Sequence, residues 1–180
     1  APDWATMVLL ALMCAIGAME LMHAVVLHEG GRQLLPLTML MAALVPIGIY
    51  LSEKRIADAL LVPFMGLIFL FLLFLGAILF YGKPRAIPFS ALCAAIFAGL
   101  VFPLMLSCLL RLRLLPFGAA LVFLPLCISF GSDTFALFAG MLCGKHKLAP
   151  RVSPKKTIEG GIGGLLGGVI GMTLFKLITD

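Results

Sequence analysis

The chain has 180 residues, 63% of them hydrophobic and only 12% charged, with a mean hydropathy of +1.20. A soluble domain is nearer half apolar and a quarter charged, and a core of this size cannot hide so much apolar surface. A secreted mini-protein, a nucleic-acid module and a disordered tail are excluded, and the chain belongs in a lipid bilayer. Its net charge of +5 is concentrated, because five of the thirteen basic residues lie between Lys145 and Lys156.

A spanning helix needs roughly 20 apolar residues. The pattern predicts spans at 4–27, at 34–51 after the turn His28-Glu29-Gly30-Gly31-Arg32, at 59–81, closed by Gly82-Lys83-Pro84-Arg85, and at 87–110, closed by Arg111 and Arg113. A fifth apolar run covers 114–143 and a last one 161–178, joined by a basic loop at 144–160. The expected fold is all-α: one polytopic membrane bundle of about six or seven spans in a single domain.

The fifth run is the odd one. Thirty residues of straight helix would reach about 45 Å, more than a hydrocarbon core of about 30 Å. Either a long tilted helix leaves the membrane, or the chain breaks at Gly131-Ser132-Asp133-Thr134, where irregular backbone needs protein or water around it. Basic residues favour cytoplasmic loops. With one crossing, the 144–160 loop shares its side with Arg32, Lys83 and Arg85, eight basic residues against four; with two, it joins Lys54, Arg55, Arg111 and Arg113, nine against three. Both counts favour a cytoplasmic loop, and neither fixes the number of crossings.

Cys14, Cys93, Cys108, Cys127 and Cys143 form no CxxC pair or Cys/His cluster, so neither zinc nor a disulfide framework is expected, and they read as small buried hydrophobes. Gly160, Gly164 and Gly168 are spaced by four, as are Gly163, Gly167 and Gly171, which lets two helices approach closely. A phosphate-cradling loop is not indicated, since the closing Gly-Lys-Ser/Thr is absent. Glu20 and His23, at i and i+3, share a face of the first span and read as polar residues near a span end or at the mouth of a site. The chain starts with Ala1 and stops at Asp180 directly after an apolar run, so a segment of a longer protein is expected, and 1–28 is too long and too weakly flanked for a cleaved signal peptide.

The chemistry lies in the last third. Asp133 stands in an apolar run at a cost of about 2.5–3.5 kcal/mol at a helix centre, so it is expected to face a partner, a cation or water. Ser132 and Thr134 flank it with hydroxyls. Twelve residues on begin Lys145, His146, Lys147, Arg151, Lys155 and Lys156, with Ser153, Thr157 and Glu159 among them. Carboxylates hold a hard cation such as Mg²⁺, which bridges to phosphate oxygens, and lysine and arginine neutralise phosphate charge. Together they fit phosphoryl or nucleotidyl transfer. The same loop also fits a plain anchor that attracts anionic lipid, and Asp133 a packing or transport carboxylate. Ser153-Pro154 is expected to start the last helix, Ser153 as N-cap and Pro154 in the first turn, with Glu159 in the early turns.

Ser132-Asp133-Thr134, Phe138-Ala139-Gly140, Gly144-Lys145-His146-Lys147-Leu148-Ala149-Pro150 and Ser153-Pro154-Lys155-Lys156-Thr157-x-Glu159-Gly160 together resemble the phosphatidate cytidylyltransferase (CDP-diacylglycerol synthase) family, in order and in spacing. The resemblance implies a multi-helix membrane enzyme of phospholipid biosynthesis, with Mg²⁺ as cofactor, that joins CTP to phosphatidic acid and releases CDP-diacylglycerol and pyrophosphate. By carry-over, Asp133 would belong to the metal site and would act in catalysis with Lys155 and Lys156. Lys145, Lys147, Arg151, Ser153 and Thr157 would bind substrate phosphate, and Ser132, Thr134 and Glu159 would support them. It further implies CTP, phosphatidic acid and membrane lipids as partners, a homodimer as candidate assembly, and a bacterial plasma membrane with the basic loop cytoplasmic. Phe135, Leu137 and Met141 depart from the commoner family pattern, which suggests a divergent subgroup or altered substrate contacts. The family's C-terminal aspartate-bearing block does not follow within this chain. The alternatives are a membrane transporter subunit, which predicts polar residues recurring across spans, and a catalytically incomplete scaffold.

Overall fold

The computed structural model describes residues 2–26, 31–84, 86–151 and 153–179. His28, Glu29 and Gly30 of the expected first turn lie outside the described residues, as does Arg85. Six helices are long and apolar enough to cross a bilayer: Asp3–Val25, Arg32–Glu53, Leu61–Leu79, Phe89–Leu114, Gly118–Cys143 and Ile158–Ile178. The chain is a polytopic helical membrane protein, as its composition demands, and it divides into two compact units, Ala1–Leu115 and Pro116–Asp180.

The first unit contains α1 (Asp3–Val26), α2 (Leu35–Glu53) after a 3₁₀ turn at Arg32–Leu34, and α3 (Leu61–Leu79). Its fourth span is built from α4 (Phe89–Ile96), a π-helical turn (Phe97–Val101), α5 (Phe102–Leu106) and α6 (Cys108–Leu114). Pro103 accounts for the π turn. Proline lacks an N–H and its ring collides with the carbonyl four residues back, here Gly99, and a wider turn relieves both problems. Ser107 then donates its hydroxyl to the Pro103 carbonyl at 2.6 Å, and Thr38 donates to Leu34 at 2.8 Å, so both buried hydroxyls are satisfied within their own helices.

Small residues let these spans meet. Cys14, Ala18, Ala42, Ala91, Ala95 and Ala98 are buried around Phe69, Leu73 and Val45. The opposite face of α3 (Phe64, Leu67, Phe71, Ile78) is exposed, as suits a lipid-facing surface. At one end, Asp3 pairs with Lys54 at 3.0 Å and with Arg113 at 3.7 Å, and Glu53 lies 3.5 Å from Arg111. The start of α1 and the ends of α2 and α6 therefore meet at one level. Of the cysteines, which the sequence suggests are buried, only Cys14 is; Cys127 is half-buried and Cys93, Cys108 and Cys143 are exposed. In a bilayer a thiol can face lipid as cheaply as core, so burial is not required of it.

The second unit contains α7 (Gly118–Leu121), α8 (Phe123–Cys143), β1 (Lys147–Ala149), β2 (Ser153–Thr157) and α9 (Ile158–Thr179). The apolar run is interrupted early, where Phe117 takes a left-handed conformation (φ 61°). Beyond it, α8 passes without a break through 131–134, and its 21 residues reach about 31 Å, close to the hydrocarbon thickness.

Gly131 serves helix contact rather than a break: a Cβ there would lie 2.6 Å from the Gly167 carbonyl oxygen. The α8–α9 seam continues through Ser132 against Gly164, Phe135 against Gly167, Ala139 against Gly163 and Gly140 against Gly160. Apart from Gly118 and Thr157, the buried residues described in this unit are five glycines of α9: Gly160, Gly163, Gly164, Gly167 and Gly171. The expected close approach is present. Gly168 is the looser member, with Ile128 at an ordinary 3.6 Å from its would-be Cβ.

The start of α9 corrects one expectation. Ser153 and Pro154 do not open the helix but lie in β2, because pairing with β1 draws them into a strand. The N-cap is Thr157, whose Oγ1 accepts the Gly160 N–H at 3.1 Å.

Candidate functional site

The 144–160 segment is an antiparallel hairpin rather than an irregular loop. Lys147 faces Thr157 and Ala149 faces Ser153, with an irregularity in register between the two pairs. Pro150 and Arg151 lie in the turn; Val152 is outside the described residues. The shorter strand opposes a longer stretch that includes Lys155 and Lys156, and a bulge of this kind re-aims side chains away from strict alternation.

Two contacts tie the hairpin to the first turn of α9. The Ile158 N–H donates to the His146 carbonyl at 3.0 Å. Glu159 returns the link: its Oε1 lies 2.8 Å from His146 Nδ1, and the His146 backbone N–H points at both carboxylate oxygens at 3.3 Å. A carboxylate there also complements the positive end of the helix dipole. Thr157, buried beneath the hairpin, would stand 3.2 Å from a Cβ at Gly140 and 3.0 Å from one at Gly160, so only glycines let the hairpin seat so close to the helix pair. His146 as the partner of Glu159 is the contact that the sequence did not specify. Its signal was a histidine inside a lysine run, which reads as one more cation.

Lys145, Lys147, Arg151, Lys155 and Lys156 are all exposed, and none enters an ion pair among the described residues. Ser153 is half-buried at the start of β2. The hairpin therefore presents a dense, unneutralised positive charge whose nearest carboxylate, Glu159, is already engaged. Lysine and arginine donors of this kind suit phosphate oxygens.

Asp133 sits in the middle of α8, exposed, with Thr134 exposed beside it and Ser132 turned toward α9 at Gly164. Asp133 makes no hydrogen bond or ion pair among the described residues and is not in contact with the hairpin lysines. It lies seven residues before Gly140 on nearly the same helical stripe, about 10 Å along the axis from the point where Thr157 seats. No group of three or more His, Cys, Asp or Glu gathers among the described residues. One carboxylate cannot cage a cation, but it is a donor set that Mg²⁺ accepts when water and substrate phosphates complete the shell. In the first unit, Glu20 is exposed and His23 Nδ1 lies 2.9 Å from the Met19 carbonyl oxygen, in keeping with a ring anchored on its own helix.

The phosphatidate cytidylyltransferase of Thermotoga maritima is 44% identical over 64 residues, covering 36% of this chain and 24% of that protein. Those of Rickettsia bellii and Bacillus subtilis are 38% identical over 79 residues and 33% identical over 87, covering 44% and 48% of this chain. The matched stretches span 24% to 34% of the length of these relatives. No solved structure matches the chain significantly. The sequence profile of the cytidylyltransferase family, in contrast, matches residues 1–180 in full, and the chain belongs to that family.

Proposed function

We propose that this chain acts in the transfer of the cytidylyl group of CTP to phosphatidic acid, forming CDP-diacylglycerol and pyrophosphate. The observation that carries the reading is the exposed, unpaired basic hairpin, pinned by Thr157 and Glu159 to the end of a glycine-packed helix pair. Both the lipid substrate and the lipid product stay in the bilayer while CTP arrives from water, so a phosphate-binding device at the end of a spanning helix pair suits the reaction.

In this reading Lys145, Lys147 and Arg151 bind the triphosphate and the lipid phosphate. A lipid phosphate oxygen forms the new bond to the α-phosphorus of CTP, and the bond from that phosphorus to the bridging oxygen of the pyrophosphate breaks. Lys155 and Lys156 take up the charge that grows on the leaving pyrophosphate, and Ser153 donates to a phosphate oxygen. Thr157, Glu159 and His146 keep the hairpin in place rather than touching substrate. Asp133, with Ser132 and Thr134 beside it, supplies the carboxylate for Mg²⁺, which when bound adds positive charge at the phosphate oxygens. A carboxylate at mid-helix needs a cation or water, not lipid, around it.

The charge count of the loops supports a cytoplasmic hairpin, where CTP is available, and the bacterial relatives support a bacterial plasma membrane. A homodimer is the assembly we propose. The test is Mg²⁺-dependent conversion of labelled CTP into a lipid-soluble product in micelles with phosphatidic acid, run on this chain and on a version with the family's C-terminal block appended. Product from either supports the reading; no CDP-diacylglycerol from both removes it.

A further inference from the structure

One end of the first unit carries a continuous cleft that the proposed reaction does not use. Its inner part is an apolar groove of about 640 Å³, walled by Val62, Gly66 and Leu70 of α3 and by Leu100 and Leu104 of the fourth span. Ser52, Glu53 and Arg111 stand at one end of it. A polar notch of about 420 Å³, lined by Ser52, Arg55 and Asp58, adjoins the groove and shares Ser52 and Ala59 with it. Mostly apolar walls with a few convergent polar groups are the usual make-up of a ligand site of this volume.

Length and charge both limit the occupant. From Arg111 to Leu100 the groove follows the fourth span for about 16 Å, which is one leaflet of a hydrocarbon core about 30 Å thick. Gly66 keeps the wall open, since a Cβ there would already touch Leu100 at 3.5 Å. The polar end holds charges of both signs. Arg111 Nε lies 3.5 Å from Glu53 Oε1, and Arg55 and Asp58 both line the notch. Arg55 is held in the left-handed region at φ 57°, an unfavourable conformation for a non-glycine residue. A headgroup that is anionic throughout would meet two carboxylates there. A headgroup that joins a phosphate to a primary ammonium would find an opposite charge for each.

We infer that this cleft holds a zwitterionic glycerophospholipid, with one acyl chain in the groove, its phosphate on Arg111 and Arg55, and its ammonium on Glu53 and Asp58. The inference rests on the spanning character of the chain and not on the proposed cytidylyl transfer.

The test is native mass spectrometry of the full chain, delipidated in detergent and titrated with phosphatidylethanolamine, phosphatidylglycerol or inorganic phosphate. Phosphatidylethanolamine is expected to be retained over phosphatidylglycerol by about tenfold, the effect of one charge-assisted hydrogen bond. Glu53→Gln combined with Asp58→Asn is expected to abolish that preference, Arg111→Gln to lower retention of both lipids, and Gly66→Leu to lower retention of the lipid by filling the groove. Phosphatidylglycerol retained equally or better, or displacement of the lipid by inorganic phosphate, overturns the proposal. A second measurement needs no variant: phosphatidylethanolamine with a photoreactive acyl chain, added to the unmodified chain, is expected to label 62–70 or 100–104, and labelling confined to other segments overturns it as well.

Discussion

Gly168→Ala and Gly171→Ala add the same methyl group to the same helix, three residues apart, and are expected to behave differently. At Gly168 the new Cβ would meet Ile128 Cγ2 at 3.6 Å and Ser132 Cβ at 4.0 Å, both ordinary contacts. At Gly171 it would lie 2.6 Å from the Cys127 carbonyl oxygen and 3.2 Å from the carbonyl carbon. Those are backbone atoms of α8, so α8 has to retreat by about 0.8 Å to restore a normal contact. Overpacking of this kind costs about 1–3 kcal/mol. Alanine also gains up to about 1 kcal/mol of helix propensity over glycine. That gain occurs in both variants, so the difference between them reads the contact alone. In equilibrium unfolding by SDS in mixed micelles, followed by far-UV circular dichroism, Gly171→Ala is expected to be less stable than Gly168→Ala by about 1–3 kcal/mol. Equal midpoints for the two variants would refute the close seam and the reasoning built on it.

Three further outcomes follow from the site. Thr157→Val removes the cap on Gly160 and is expected to cost about 1 kcal/mol, seen as faster amide exchange in the first turn of α9, with Thr157→Ser restoring protection. Glu159→Gln removes the charge from the contact with His146; because the histidine is exposed, global stability is expected to change little, while exchange at His146 and Ile158 quickens and cytidylyl transfer falls. Asp133→Asn leaves the midpoint of unfolding unchanged, because the carboxylate has no protein partner to lose, yet is expected to suppress Mg²⁺-dependent product formation; full activity would take Asp133 out of the metal site.

Much of this architecture is written in hydropathy. Runs such as 59–81 are so uniformly apolar that no other secondary structure satisfies their backbone in lipid, and α3 occupies Leu61–Leu79 within that run. Boundaries set by single polar contacts were harder to read. The last helix begins at Ile158, ahead of the apolar stretch at 161, because the Thr157 hydroxyl caps it. The hairpin was not legible as strands, since Ser153-Pro154-Lys155-Lys156-Thr157 shows no apolar alternation and carries a proline. Its pairing is secured instead by Glu159 and Thr157, two residues whose contacts depend on the fold. The π turn was hidden for a related reason: Pro103 signals a disturbed helix but does not say whether the chain kinks, breaks or widens. For the candidate site, the sequence located the cations and the lone carboxylate, and the fold then separated Asp133 from the lysines along the length of α8.

The glycine seam also governs how freely this chain can drift. Where α8 and α9 face lipid, one bulky apolar residue can replace another with little consequence, because lipid accommodates any of them. Along the seam almost no replacement fits, since what meets there is backbone against backbone. Descendants of this sequence would therefore keep an unchanging thread of glycine and other small residues at near-helical intervals through a background of interchangeable Leu, Ile, Val, Met and Phe. The hairpin seated on that thread would change slowly too, because its position is inherited from residues that have no side chain to trade.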